Sequence, residues 1–242
     1  MQICNVKISC KTLDDLLYPI NSFKHIITVN AEAIVRCQNE SRLLRIVNQG
    51  KSTIDGQIPL WIFKTKYPQI NIEKLSGSDL IYDICEWAGK NKFKVFLLGG
   101  NEYSNEISVQ KLKKKYGIEI KGFSPTYSPY PFSSQLNQSL IEEIKLFSPQ
   151  IIFVAFGMGK QEFWIDDNKT TLEELGVKIA IGCGGTFDFV AEKTKRAPLI
   201  IQNVGLEGIW RFLMEPKWFR LKRILLSCKI FYYALNDFKN GK

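Results

Sequence analysis

Short, almost uninterrupted apolar segments alternate with longer amphipathic segments along most of the chain. The apolar segments are typical of strands buried on both faces, and they lie at 25–31, 52–56, 93–100, 118–125, 150–157 and 177–185. The amphipathic segments predict helices at 31–49, 78–91, 101–117, 133–149 and 160–176. Because strands and helices alternate, we predict an α/β, Rossmann-like fold with a mostly parallel sheet covered by helices.

The ends of several elements carry their own signals. Ser78 is predicted to cap the second helix and Gly117 to end the third. Residues 124–132 contain three prolines and three aromatic residues, which indicates an irregular loop beside the sheet.

The alternation stops near residue 195. The segment that follows is aromatic, basic and helical in pattern, and it is interrupted by Pro216. We therefore predict an α/β domain over residues 1–195 and a basic, aromatic, helical C-terminal appendage over residues 196–242.

The positive charge is concentrated in this appendage. Residues 193–242 hold eleven lysines and arginines against three acidic residues, which gives +8 of the formal net charge of +9. Such a localised charge favours a localised anionic partner. Neither zinc-ligand spacing nor an RNA-binding motif accompanies the charge, so a nucleic acid is not the partner that we expect.

Cysteine and histidine usage restricts the chemistry further. The six cysteines show no CxxC pair and the N-terminus shows no leader pattern, so we expect a reduced, cytosolic protein. No apolar run reaches the roughly 18–20 residues that span a bilayer. His25 is the sole histidine, which excludes a site built on two histidines and leaves proton transfer to carboxylates.

Glycines and small polar residues follow five of the predicted strands, where ligands bind in open parallel sheets. They are Thr28, Asn30 and Glu32, then Asp55 and Gly56, then Gly99, Gly100 and Asn101, then Gly157, Gly159, Lys160, Gln161 and Glu162, then Gly182, Gly184, Gly185, Thr186 and Asp188. Two of these glycine turns lead into helices, where backbone N–H groups bind phosphate. Neither matches GxGxxG or the P-loop pattern, and such turns are common without ligands.

Each candidate side chain has an ordinary structural alternative. Asp55 is either part of an Asp-Gly turn or a general base at a strand end. Thr28 and Asn30 either cap the next helix or line a pocket. Gln161 either binds substrate or is a surface residue in the first turn of a helix. Asp188 is either a binding residue or an N-cap, and Arg196 is either a binding residue or a solvated charge. Periodicity alone leaves these choices open.

Seven stretches form a set that spans nearly the whole chain. They are "TVNAE" (28–32), "DG" (55–56), "LSGSDL" (75–80), "VFLLGG" (95–100), "FGMGKQEFW" (156–164), "GCGGTFDFVAEKTKRAP" (182–198) and "GLEGIWRFLMEP" (205–216). In this order they resemble the WecG/TagA/CpsF family of bacterial glycosyltransferases, and the set that includes "GGTFDF" and "KRAP" is specific.

The resemblance implies a reaction. Its members transfer a sugar, often N-acetylmannosamine, from a UDP-sugar to a polyprenyl-diphosphate-linked sugar at the cytoplasmic face of the membrane, for cell-surface polysaccharide synthesis. They invert the anomeric configuration without a metal, and we expect no cofactor. Inversion is one in-line displacement, so one base suffices. The alternative is a non-catalytic subunit that binds nucleotide or lipid diphosphate.

The resemblance also implies residue roles. Asp55 would be the base, and the substrate-binding residues would be Thr28, Asn30, Lys74, Gln161 and Arg196. Gly99, Gly100, Gly184, Gly185 and Asp188 would surround the nucleotide. Three residues depart from the family pattern, where Lys74 replaces arginine, Gly159 replaces proline and Glu192 replaces glycine. These changes leave the reaction class intact and the donor sugar open.

The resemblance assigns the appendage to membrane docking, with Arg211, Arg220 and Arg223 holding the acceptor diphosphate. Arginine suits the geometry of a diphosphate. Aromatic residues beside lysines and arginines independently favour an anionic membrane surface. The alternative is an amphipathic helix packed on the protein's own core or between copies in a homo-oligomer.

Overall fold

The computed structural model of the protein describes residues 1–240. Lys242, which was counted in the basic appendage, lies outside the described residues. The strands are β1 (Gln2–Ile3), β2 (Val6–Lys7), β3 (Lys24–Val29), β4 (Lys51–Ile54), β5 (Val95–Gly99), β6 (Ile120–Phe123), β7 (Ile151–Ala155) and β8 (Ile179–Gly182). The first seven helices are α1 (Leu13–Leu17), α2 (Ala31–Cys37), α3 (Ser41–Gln49), α4 (Gln57–Lys66), α5 (Gly77–Asn91), α6 (Glu102–Tyr116) and α7 (Ser134–Phe147). The other seven are α8 (Lys160–Asp167), α9 (Lys169–Glu174), α10 (Thr186–Val190), α11 (Leu199–Asn203), α12 (Glu207–Met214), α13 (Trp218–Cys228) and α14 (Ile230–Asn240).

Six strands form one parallel sheet in the order β4-β3-β8-β7-β5-β6, and helices flank it. The α/β, Rossmann-like prediction is therefore confirmed, as is the helical character of the C-terminal segment. β1 and β2 pair separately as an antiparallel hairpin. No helix within residues 1–240 is long and apolar enough to cross a membrane.

The chain divides into two compact units. The first comprises residues 1–18, 27–76 and 196–240, and the second comprises residues 19–26 and 77–195. The strand β3 contributes residues to both units. The separate domains predicted over 1–195 and 196–242 stay a prediction.

The second unit is built on the parallel strands β5 to β8. β5 pairs with β6 and β7, and β7 pairs with β8. Leu97 of β5 lies opposite Gly122 of β6 and Phe153 of β7, and Phe153 lies opposite Ile181 of β8. One side of these strands packs against α7 and α8 through a fully buried cluster that includes Phe96, Val154 and Trp164. Continuous apolar strands are buried on both faces, as the sequence pattern predicts.

In the first unit, the last two helices pack against α2. Both α13 and α14 contact α2, and Ile230 and Ala234 of α14 are buried. Asp237 of α14 accepts hydrogen bonds from Lys66 Nζ at 2.7 Å and from the backbone N–H of Cys4 at 3.0 Å. Apolar burial and a partly buried ion pair therefore pack the C-terminal helices on the rest of the first unit.

Two predicted helices are each divided in the structure. The helix predicted over 31–49 ends at Cys37, and the side chain of the next residue, Gln38, donates to the carbonyl oxygens of Cys4 and Ile34. The helix predicted over 160–176 is interrupted at Asn168, whose side chain donates to the Trp164 carbonyl and accepts from Asn137. In both places a side-chain contact outside the helix competes with helix continuation.

Helix ends were predicted with mixed success. Gly117 ends α6 in the left-handed conformation with φ of 63°, as predicted, and Asn101, which was not predicted as a cap, is the N-cap of this helix. Ser78 is not the N-cap of α5, since that helix already begins at Gly77. α4 was missed, although Pro59 lies in its first turn, where a missing backbone N–H is tolerated.

Candidate functional site

Asp55 lies directly after β4 in the first unit, at the carboxyl end of the strand. Its backbone N–H donates to the carbonyl oxygen of Val29 at 2.9 Å, which holds it beside the end of β3. On the other side, Ile54 forms a parallel bridge with Lys74, and the N–H of Leu75 donates to the Ile54 carbonyl at 2.8 Å. The backbone thus brings the predicted base, the end of β3 and the predicted Lys74 ligand together.

The turn that follows Asp55 requires glycine. Gly56 has φ of 90°, in the left-handed region that side chains other than glycine rarely adopt, and α4 begins at the next residue. Asp55 itself is half-buried. In open parallel sheets, ligands bind at the carboxyl ends of strands, which is where Asp55 lies.

Asn30 and Thr28 have different structural roles. Asn30 is the N-cap of α2, because its Oδ1 accepts the backbone N–H of Ala33 at 2.9 Å, so the capping alternative holds for this residue. The cap does not use the Nδ2 group of Asn30. Thr28 lies within β3 and is buried, so it is not a cap. The pocket roles of both residues stay predictions.

Glu32, in the first turn of α2, contacts the appendage. Its carboxylate Oε2 lies 2.6 Å from both Nε and Nη2 of Arg223 on α13. The Glu32 side chain is 11% exposed and that of Arg223 is 46% exposed. The sequence placed Arg223 among the diphosphate ligands, and the structure gives its guanidinium a carboxylate partner.

The other two predicted diphosphate ligands lie on α12 and α13. The Arg220 guanidinium binds the Glu215 carboxylate, and hydrogen bonds from Lys217 and Arg220 lower the pKa of Glu215. Arg211 lies in the last turn of α12 and is partly buried. Arg196 precedes α11 and belongs to the same first unit.

The glycine turn at the end of β5 belongs to the second unit and strongly favours glycine at both positions. Gly99 and Gly100 have φ of 87° and 76°. A Cβ on Gly99 would lie 2.8 Å from the Phe156 ring, and one on Gly100 would lie 2.9 Å from the Phe187 ring. The turn exposes backbone next to the start of α6, as an anion-binding turn requires.

A cavity of about 210 Å³ opens beside this turn, within the second unit. Its walls include Gly99, Gly100, Phe156 and Lys160, together with residues 125–128. Lys160 Nζ lies 4.5 Å from the centroid of the Tyr127 ring. Tyr127 was not predicted as a site residue. Lys160 was named among the residues that follow the fifth predicted strand, but it was given no role, although it stands in the "KQE" motif.

Gln161 is a buried clamp and not a surface residue of α8. Its Oε1 accepts the backbone N–H of Gly184 at 3.1 Å and that of Gly157 at 3.2 Å, and its Nε2 donates to Glu162 at 2.8 Å. Gln161 therefore joins the turns that follow β7 and β8, and its predicted contact with substrate stays a prediction.

The Glu162 side chain caps the N-terminus of α8. Its Oε2 accepts the backbone N–H of Gly159 at 2.6 Å, and the residue is 1% exposed. Gly159 has φ of 88°. The proline that the family usually carries at this position cannot adopt that φ and lacks the backbone N–H that donates to Glu162.

The turn after β8 leads into α10. Gly185 is the N-cap of α10, so Asp188 lies inside the helix and is not the cap. Asp188 accepts a hydrogen bond of 2.6 Å from Ser104 Oγ of α6. Burial raises the pKa of the neighbouring Cys183 thiol above its usual range, so this thiol stays protonated at neutral pH.

Taken by itself, the second unit supplies two glycine turns that each lead into a helix, joined by the Ser104–Asp188 bond. Gly184 has open space around it, with no atom within 4 Å of an added Cβ. Within residues 1–240, no group of three or more His, Cys, Asp or Glu side chains is placed to hold a metal ion.

Comparison with known protein families gives a match over nearly the whole chain. The family model described as "Glycosyl transferase WecG/TagA/CpsF family" matches residues 1–241. The matched range contains all seven stretches on which the resemblance rests.

Proposed function

The chain belongs to the WecG/TagA/CpsF family of glycosyltransferases, and we propose that it moves a hexose from a UDP-sugar to a sugar carried on a polyprenyl diphosphate. The transferred sugar in this proposal is N-acetylmannosamine or a related hexose, and the product enters cell-surface polysaccharide synthesis. The transfer inverts the anomeric carbon and uses no metal.

The observation that carries the proposal is the placement of Asp55. It follows β4, its N–H is bonded to Val29 at 2.9 Å, and Lys74 lies beside the same strand end. In the reaction, Asp55 removes the proton from the acceptor hydroxyl while the hydroxyl oxygen bonds to the anomeric carbon. The bond between that carbon and the UDP oxygen breaks, and the proton remains on the Asp55 carboxyl group.

Lys74 and the arginines of the C-terminal helices supply positive charge for the two diphosphates. Without a metal, the leaving UDP and the lipid diphosphate need cationic neighbours, and arginine offers paired N–H donors to phosphate. Arg211 and Arg220 are proposed for the acceptor diphosphate, and Lys74 and Arg196 are proposed to bind substrate. The third arginine predicted for the diphosphate, Arg223, is paired with Glu32.

The second unit is proposed to hold the UDP part of the donor. Gly99, Gly100, Gly184 and Gly185 stand at turns that lead into α6 and α10, where backbone N–H groups favour phosphate. The cavity beside Gly99 offers the Tyr127 ring and the Lys160 ammonium group to a planar base and its phosphates. Asp188 and Gln161 hold these turns through their hydrogen bonds.

The C-terminal helices are proposed to bind the inner face of the cell membrane. Their exposed apolar side chains include Leu199, Ile200, Leu213, Trp218 and Tyr232, each more than 60% exposed. The same segment carries most of the net positive charge. Exposed apolar groups beside cations suit the boundary of an anionic bilayer.

Asp55→Asn tests the proposed base. We expect a fall in turnover of about a thousandfold or more in an assay of UDP-sugars with a lipid-diphosphate-linked GlcNAc acceptor, while UDP binding remains. Undiminished turnover would rule Asp55 out as the base. Transfer by the purified wild-type chain would exclude the non-catalytic binding subunit.

A further inference from the structure

The pair formed by Glu32 and Arg223 joins residues 191 positions apart in the chain. Two nitrogen atoms of the Arg223 guanidinium, Nε and Nη2, lie 2.6 Å from one carboxylate oxygen of Glu32. Both residues belong to the first unit. Of the described residues, Arg223 is the one whose side chain pairs with the Glu32 carboxylate.

Burial makes this pair more than a surface contact. A carboxylate that is 11% exposed is costly unless it is paired and hydrogen-bonded, whereas exposed ion pairs contribute little. The Glu32 side chain therefore favours the arrangement in which α13 lies against α2. Packing agrees with this, since α13 and α2 are in contact.

Glu32 is also close in the chain to the proposed base site. Asn30 precedes it by two residues and caps the same helix, and Val29 accepts the backbone N–H of Asp55 at 2.9 Å. The helix that carries Arg220 and Arg223 is thus fastened to the first turn of α2, directly after the end of β3. A shift of α13 would move its cations relative to Asp55.

We propose that Glu32 is a positioning residue for the acceptor, acting through Arg223. The ion pair sets the position of α13 on α2, and α13 then presents its remaining cationic and aromatic side chains to the lipid-linked diphosphate. Arg223 serves as the tether in this arrangement, and it is not itself a diphosphate ligand. This inference rests on the proposed function, because it concerns the acceptor of that reaction.

The test is a double-mutant cycle of Glu32→Gln, Arg223→Gln and the two together, with the purified full chain. We expect each single variant to raise the KM for the lipid-diphosphate-linked acceptor by about tenfold, with the donor KM and the affinity for UDP unchanged. Because both residues act through one contact, the double variant should resemble the single variants. Glu40→Gln, which breaks the Arg36–Glu40 pair near the end of α2, is the matched control and should leave the acceptor KM unchanged.

Hydrogen exchange gives an independent readout. Residues 218–228 should exchange faster in the Glu32 and Arg223 variants and at the wild-type rate in Glu40→Gln, while β5 and β7 stay protected in all of them. If Glu32→Gln does not fold, the acceptor KM and the hydrogen exchange of Arg223→Gln provide the test, because the Arg223 side chain is 46% exposed and its replacement leaves the core intact.

Three results would overturn the inference. A lower acceptor KM in Glu32→Gln would show that Glu32 competes with the diphosphate for Arg223. Additive losses in the double variant would show that Arg223 contacts the acceptor directly. Unchanged exchange in α13 would show that the pair does not hold the helix. If the wild-type chain transferred no sugar, the proposed function would fail, yet the exchange measurement would still decide whether Glu32 positions α13.

Discussion

The side-chain oxygen of Gln161 accepts the backbone N–H of Gly184 at 3.1 Å and so ties the start of α8 to the turn after β8. The same oxygen accepts the N–H of Gly157, and the amide nitrogen donates to Glu162. A neutral amide is needed here, because it accepts on one side and donates to a carboxylate on the other.

Gln161→Glu should therefore destabilise the second unit. The substitution removes the donor to Glu162 and places two carboxylates side by side in a buried location, which we expect to cost about 2–4 kcal/mol of unfolding free energy. Urea unfolding measures the change. Gln138→Glu is the matched control, since exposed Gln138 also donates to a glutamate, Glu142, and should change the unfolding free energy by less than about 0.5 kcal/mol. Equal effects at the two positions would contradict the clamp.

Gly159→Pro should be harmful although proline is usual at this position in the family. Proline cannot adopt the φ of 88° and cannot donate the N–H that Glu162 accepts at 2.6 Å, so we expect a loss of about 3 kcal/mol or more. Gly159→Ala keeps the N–H and should lose only about 1–2 kcal/mol from the strained backbone. Thermal unfolding of both variants separates the two causes; a proline variant as stable as wild type would mean that the turn adopts another conformation.

His25 should make the protein less stable in acid. Burial, with a smaller contribution from Lys169, lowers the pKa of His25 to about 3, and its buried Nε2 has no hydrogen-bond partner among the described residues. Below the unfolded pKa of about 6.5, the unfolded chain binds a proton that the folded chain does not, so stability falls as the pH drops from 6.5 towards 3. Because part of the His25 surface is exposed, this residue should account for at most about 2 kcal/mol at pH 5.

The measurement is urea unfolding at pH 7.5 and pH 5.0 for wild type and His25→Gln. The variant should lose less stability between the two pH values, because glutamine does not titrate. Carboxylates with a lowered pKa, such as Asp15, lose stability in acid in both proteins, so their effect cancels in the comparison. An identical pH dependence in the two proteins would contradict the assignment.

Membrane binding should depend on the exposed aromatic residues of α13. Trp218 and Phe219 are 66% and 51% exposed, so replacing both by serine removes apolar surface without opening the core. We expect flotation with anionic liposomes to weaken by about tenfold or more. Tyr18→Ser with Leu146→Ser, at two other exposed positions, is the control and should float like wild type. Equal flotation of the two double variants would exclude α13 as the membrane-binding surface.

Local patterns predicted the elements of the fold well where burial is continuous. The strands β5, β7 and β8 are buried on both faces, so their apolar runs were readable, and Gly117 ended α6 as its residue type indicates. The patterns failed at Gln38 and Asn168, because the contacts that divide those helices are made to residues elsewhere in the chain. The short β1–β2 hairpin and α1 carry too few residues for a periodic signal.

The candidate site could be predicted only in part, for the same reason. Asp55, Lys74 and the glycine turns were predicted because strand ends and family motifs lie in contiguous sequence, and their roles stay predictions. Tyr127 was missed, since its position beside Lys160 depends on how an irregular loop packs. Asn30 was interpreted as a pocket residue, and the structure shows that its side chain caps α2.

The sequence by itself determined the α/β class, the alternation of the six sheet strands with most of the long helices, the concentration of positive charge from residue 193 onwards and the family. These follow from periodicity, composition and contiguous motifs, which are properties of neighbouring residues. Only the tertiary structure decided that Arg223 pairs with Glu32 and that Gln161 clamps Gly184. Such partners are far apart in the chain, and folding brings them together because a buried carboxylate or amide is stable only when its hydrogen bonds are satisfied.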